Sequence, residues 1–261
     1  MKIPSYFVLT TAIIFTLAVD AQAQLTRGFD RQIPSTALNA EVVRQPSLQV
    51  MEVQIKLVRL AWLDPEDPKA SDAKKTEVWY LVWRAINRPL RSREGSDTLA
   101  VNQLDPLPGP MQFIPQFTLV TYDDPNTEIP NQILPDQVLP GAIKEIEKIE
   151  RVPLNNSVSV IQDFPEAVAE DAEKQPWIYG VATWKNVDPK TDHFKIIMTG
   201  FSNGYENKGT IEEPEIWRKV IVQRFYRPGD EFDPTSKEFQ FKGEPEWTYQ
   251  PERGKAAPVE N

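Results

Sequence analysis

The sequence predicts a mainly β protein: an antiparallel β-sandwich with one short helix. Three observations carry that expectation. Several segments alternate apolar and polar residues with a period of two, the signature of a strand with one buried face. Prolines are many, 24, and glycines few, 11, which stiffens connections and leaves little room for long helices. The strand-like runs recur at short intervals with Pro, Asp and Asn clusters between them, as in sandwiches.

Residues 1–23 precede that domain and read as an export signal. Lys2 gives a positive start, and an apolar run of about fourteen residues, 6–19, follows. Ala21 and Ala23 form the small-x-small pattern of a cleavage site, so the mature chain is expected to start at Gln24. A spanning helix needs roughly twenty apolar residues, and no later run is long enough to cross a bilayer. Residues 24–49 are polar and aperiodic and read as a flexible tether, with a short helix near 36–44.

The domain itself is expected over 50–250. Val53, Ile55 and Leu57 alternate with Glu52, Gln54 and Lys56. The parity then flips to Val58, Leu60 and Trp62, which implies a bulge or bend. Residues 78–86 are apolar on both faces and read as a central strand. A short strand fits 98–102. Residues 113–122 form another strand, with Pro115 marking an edge or bulge. Four prolines break 123–140 and argue against regular structure there. Residues 141–151 place Ile143, Ile146 and Ile149 on one side and Lys and Glu on the other, as a helix does. A strand is expected at 154–161 and an exposed acidic stretch at 166–174. Residues 177–187 and 194–201 flank an Asp188-Pro189 turn and read as a hairpin. The strand 217–226 and two short strands at 237–242 and 247–249 close the domain. Residues 251–261 read as a disordered tail. Eight or nine strands of this spacing suit a sandwich, with an immunoglobulin-like topology among those that fit.

Charge and residue inventory bound the chemistry. The net charge is −9, which opposes binding to nucleic acid, where Lys and Arg must neutralise phosphates. With no cysteine, disulfides, thiol chemistry and cysteine metal sites are excluded. His193 is the only histidine. It sits beside the predicted turn and reads as a solvated turn residue. No metal site and no cofactor loop is apparent: the glycines at 200, 204 and 209 are too widely spaced for a dinucleotide fingerprint. Acid pairs that could serve glycoside hydrolysis are Glu66 and Asp67, Asp123 and Asp124, Glu212 and Glu213, and Asp230 and Glu231. No motif chooses among them. Oxygen-rich turns at 123–128 and 230–233 could hold a structural calcium, although turns collect Asp and Asn anyway. Of the seven Trp, Trp79, Trp83, Trp184 and Trp217 are candidates for a binding face, weighed against burial in the core.

The block Trp177-x-Tyr179-Gly180-Val181-Ala182-Thr183-Trp184, followed by Thr199-Gly200-Phe201-Ser202-Asn203-Gly204-Tyr205 and Arg227-Pro228-Gly229-Asp230, resembles uncharacterised exported proteins of planctomycete-type bacteria. The segments 78–82 and 113–117 share the likeness, which spans roughly 50–250. It implies a cell-envelope location and brings no activity with it. With no nucleophile and base, no metal cluster and no cofactor loop in the sequence, the expectation is a non-enzymatic exported protein of the periplasm or envelope, a binding or structural module for a protein or polysaccharide partner. A carboxylate-dependent hydrolase of glycans is the alternative.

Overall fold

A computed structural model describes residues 28–65, 75–90, 111–210, 212–213, 215–228 and 239–252. The leader with its cleavage residues, the predicted strand at 98–102 and the acids at 66, 67, 230 and 231 lie outside them. Among the described residues thirteen strands and two helices form an antiparallel sandwich.

The first sheet is built on β4 (Thr76–Asn87). On one side of it lie β2 (Met51–Ile55) and β3 (Arg59–Leu63), and on the other β9 (Ile178–Trp184). A further strand, β1 (Arg31–Ile33), pairs with β2. The parity flip in the sequence is the break between β2 and β3. Val53 and Ile55 face the main core before it and Val58 and Leu60 after it.

The second sheet centres on β10 (His193–Thr199), flanked by β6 (Gln116–Tyr122) and β12 (Ile216–Tyr226). Outside these lie β7 (Gln132–Pro135) next to β6 and β13 (Gln240–Pro251) next to β12; β11 (Tyr205–Asn207) pairs with the start of β12. A small ribbon, β5 (Gln112–Phe113) with β8 (Gln162–Asp163), stands apart. Pro115 separates β5 from β6, where its missing N–H costs no ladder bond.

The two sheets enclose one aromatic-rich core. Trp83 packs against Phe117 and Phe201 with ring centroids 5.5 and 5.3 Å away, and Trp79 against Phe239 at 4.3 Å. Gly180 lies directly opposite Trp83, and a Cβ there would come within 2.2 Å of the indole ring. That close approach explains the glycine in an otherwise apolar strand.

The outer face of the first sheet carries a second layer, which is why β4 is apolar on both faces. Helix α2 (Ala142–Glu150) packs Ala142 and Ile146 over Tyr80, Val82 and Val181. The spacing of four residues, not three, sets the buried stripe, so Ile149 turns outward into solvent. Arg151 ends the helix in the left-handed region, its N–H donating to the Glu147 carbonyl.

Several sequence expectations are corrected. Residues 31–33 and 39–44 are not a free tether: β1 joins the first sheet, and the short helix expected near 36–44 is present as α1 (Asn39–Arg44) and lies against the second. The 177–201 segment is not a hairpin, because β9 and β10 belong to different sheets and the Asp188 turn carries the chain across. Residues 123–140 do contain a strand, β7, since Pro135 stands at its last position. Residues 154–161 form turns and a single bridge from Asn155 to Gly180. The last two strands are one, β13, bulged about Gly243 where β12 shifts register. Among the described residues no helix is long and apolar enough to cross a membrane.

Candidate binding site at the open end of the sandwich

The start of β12 and the end of β13 present an inner face whose polar groups meet residues 34–41. Alternation along β12 points Trp217, Lys219 and Ile221 to that face, and the register sets Tyr249 opposite Lys219 and Trp247 opposite Ile221. Glu206 of β11 stands opposite Trp217. Residues 34–45 lie across this surface.

Their attachment is polar. The Lys219 ammonium donates to the Glu41 carboxylate at 2.7 Å and to the Thr36 carbonyl at 3.0 Å. The Tyr249 hydroxyl donates to the same Glu41 oxygen at 2.6 Å, while the Leu38 N–H donates to the other. Trp247 Nε1 donates to the Pro34 carbonyl, and Arg44 pairs with Glu206 at 2.7 Å. Burial pushes the Glu41 carboxyl up, but the hydrogen bonds from Lys219 and Tyr249 outweigh it and hold it below the usual carboxylate range. Burial and the bond to Glu41 push Tyr249 the other way, upward.

Directly after α1 the chain enters a cleft of about 470 Å³. Leu48, Leu90, Met111 and Phe164 give it apolar walls, and Gln49, Asn87, Arg88 and Asn203 give it polar groups. Asn203 fixes one wall: its side chain bonds the Gln49 N–H and the Ser47 carbonyl. Arg88 is held from behind by Glu52 at 2.8 Å and by the Gln175 side chain. Loops thus meet on a rigid frame at one end of the sandwich, an arrangement suited to binding.

Three of the four candidate tryptophans cannot serve as a stacking face. Trp79, Trp83 and Trp184 are buried in the main core, because they lie on the sandwich-facing side of β4 and of β9, its neighbour. Trp217 is half-buried on the face just described, with the Lys208 ammonium 3.6 Å from its ring centre. Trp177, not singled out in the sequence, stacks on the Arg84 guanidinium at 4.2 Å. His193 is not a solvated turn residue. It opens β10, half-buried, and stacks on Tyr122 with centroids 6.2 Å apart.

The described acid pairs sit in surface turns. Asp124 accepts from the N–H and side chain of Asn126, bonds that hold its carboxyl below the usual range, and Asp123 accepts from Asn131. Glu212 and Glu213 are exposed. Among the described residues the carboxylates drawn into the fold are others, each matched to cations: buried Glu150 with Lys56 and Arg59, Glu52 with Arg88 and Glu41 with Lys219, and half-buried Glu128 with Lys195 and Arg224. Sequence spacing gives no sign of these pairs, which join residues up to 178 apart. Among the described residues no group of three or more His, Cys, Asp or Glu could hold a metal ion.

No family model matches the chain, and neither a curated protein nor a solved structure matches it.

Proposed function

We propose that the chain is a non-catalytic binding module of a bacterial cell envelope, which holds a segment of a partner protein in the cleft at the end of its sandwich. The observation that carries this reading is the lining of the cleft. Its volume falls in the range of ligand pockets, roughly 300–1,000 Å³. Flexible Leu and Met side chains with a Phe accept apolar side chains, and the exposed Gln49 amide can meet the N–H and C=O groups of an extended peptide. A polysaccharide is the poorer fit for this cleft, because stacking on sugars needs open aromatic faces and Phe164 is the only aromatic residue in its lining. Engagement of the buried acids as counter-ions of Lys and Arg favours binding over glycan hydrolysis, which needs two free carboxyls facing one bond.

The envelope location rests on the leader pattern at 1–23. N-terminal sequencing of the exported product should find Gln24 first; a mature chain starting at Met1 would overturn it. The cleft is tested by peptide display on immobilised protein, residues 24–261. Wild type should enrich a peptide motif with apolar residues. An Ala167→Trp variant, which fills the cleft from an exposed position, should lose that enrichment. Equal enrichment by both proteins would refute the assignment.

A further inference from the structure

We infer that the surface formed by Lys219, Tyr249 and Trp247 is a binding groove for a carboxylate-bearing peptide, and that residues 34–44 of the same chain are its resident, displaceable ligand. The inference extends the binding-module reading to a second groove, next to the cleft, and does not depend on the cleft being occupied.

The first ground is the orientation of α1. A surface helix normally buries its apolar stripe and wets its polar one. Here Glu41 is buried at 6 % exposure, whereas Leu38, Val42 and Val43 are 72, 40 and 41 % exposed. The segment is thus held by its polar groups and keeps these apolar ones in water. Leu38 is mostly in water and Val42 and Val43 are only partly covered, so apolar burial at these positions holds the segment less than it would a helix with its apolar stripe turned inward.

The second ground is the chemistry of the groove. Lys219 is a cation on the inner face of a strand, closed off beside Trp247 and Tyr249, and Glu41 supplies the carboxylate it meets. A buried ammonium needs such a partner. The groove also contacts the peptide backbone of its occupant: Lys219 donates to the Thr36 carbonyl and Trp247 to the Pro34 carbonyl. One carboxylate receptor with two backbone donors describes a site for an extended segment carrying Glu or Asp. A partner segment of that kind could take the place of 34–44, with the cation and both donors satisfied again.

The test uses a fluorescein-labelled peptide with the sequence of residues 33–45 and protein comprising residues 24–261. Glu41→Ala removes the resident carboxylate and should let the added peptide bind at least tenfold more tightly than it binds wild type. That binding should vanish with Lys219→Met in the same background, and with a peptide carrying Gln in place of its Glu. Failure of the Glu41→Ala protein to bind, or binding indifferent to either change, overturns the inference. A measurement on wild type guards against a variant that does not fold. The amide hydrogens of Glu41, Val42 and Gln45, bonded within α1, should exchange at least tenfold faster than those of β4 and β10. Equal protection would overturn displaceability. The Ala167→Trp variant should bind the peptide like its parent, so failure of the cleft and failure of the groove are read separately.

Discussion

Replacing Glu150 with Gln would leave two cations facing a neutral amide in a closed space. The Glu150 side chain is 2 % exposed and the Lys56 side chain 8 %. Lys56 donates to one carboxylate oxygen at 2.7 Å, and Arg59 and the Tyr80 hydroxyl to the other at 3.0 Å each. Gln keeps an acceptor for Tyr80 but cannot neutralise Lys56. Removing one partner of a buried pair costs about 3–5 kcal/mol. At roughly 2–4 °C per kcal/mol for a chain of this size, the melting temperature should fall by about 6–20 °C at pH 7. The pH dependence is a second signature. Burial raises the Glu150 pKa, but the Lys56 hydrogen bond and the charges of Lys56 and Arg59 outweigh it, so the folded value lies below the ordinary 4.5. A depressed carboxyl contributes stability that is present above its unfolded pKa and lost as pH falls through the folded one. The wild-type advantage over Glu150→Gln should therefore shrink below pH 4.5. Urea titrations of both proteins between pH 3 and 8 give the comparison. A gap under about 1 kcal/mol at pH 7, or one that persists undiminished in acid, would refute the reasoning. Replacing both partners, Lys56→Met with Glu150→Leu, should recover much of the loss, because an apolar pair needs no charge compensation.

Gly180→Ala should destabilise by roughly 1–3 kcal/mol in urea denaturation, since the added methyl meets a ring that the core holds rigidly. Trp83→Ala should cost about 3–5 kcal/mol, whereas Trp62→Ala, at an exposed position of β3, should stay within about 0.5 kcal/mol. Tyr122 is pushed up to about 12 by burial and by the nearby Glu128 charge, with Arg224 opposing. Ultraviolet titration should show it ionising well after tyrosines of ordinary pKa near 10. Its contribution to stability is present below pH 10 and should be lost as pH rises towards 12.

The strands legible in the sequence are those whose burial follows from local alternation. Residues 78–86 fall within β4 and 217–226 within β12. The β2–β3 break sits where the parity flips, because a register change must turn side chains to the other face. Helix α2 shows in its period, although Ile149, which the period places with Ile143 and Ile146, faces solvent. Three features escaped for a common reason. Whether β9 and β10 pair with each other or cross between sheets depends on contacts with β4 and β12, which no local pattern encodes. The same holds for β7, whose Pro-rich surroundings read as loop but whose ladder to β6 needs only four residues. It holds also for the attachment of 31–44, whose short helix is legible but whose partners more than 150 residues away are not.

The candidate site was hidden more deeply than the fold, and for an electrostatic reason. Composition shows 38 acids and a single histidine, and invites a search for paired acids close together in sequence. The described pairs of that kind occupy surface turns, where adjacent carboxylates can stay solvated. The acids that matter for the structure stand alone in sequence and meet cations only after folding. Glu41 is the informative case. It lies in a stretch that reads as a polar tether with a short helix. Folding buries the carboxylate and leaves the flanking Val42 and Val43 40 and 41 % exposed. Apolar periodicity marks segments held by apolar burial, and a segment attached by charge leaves no such mark. A segment fastened in this way satisfies the groove beneath it without sealing it by apolar burial, which is the property an exchangeable occupant requires.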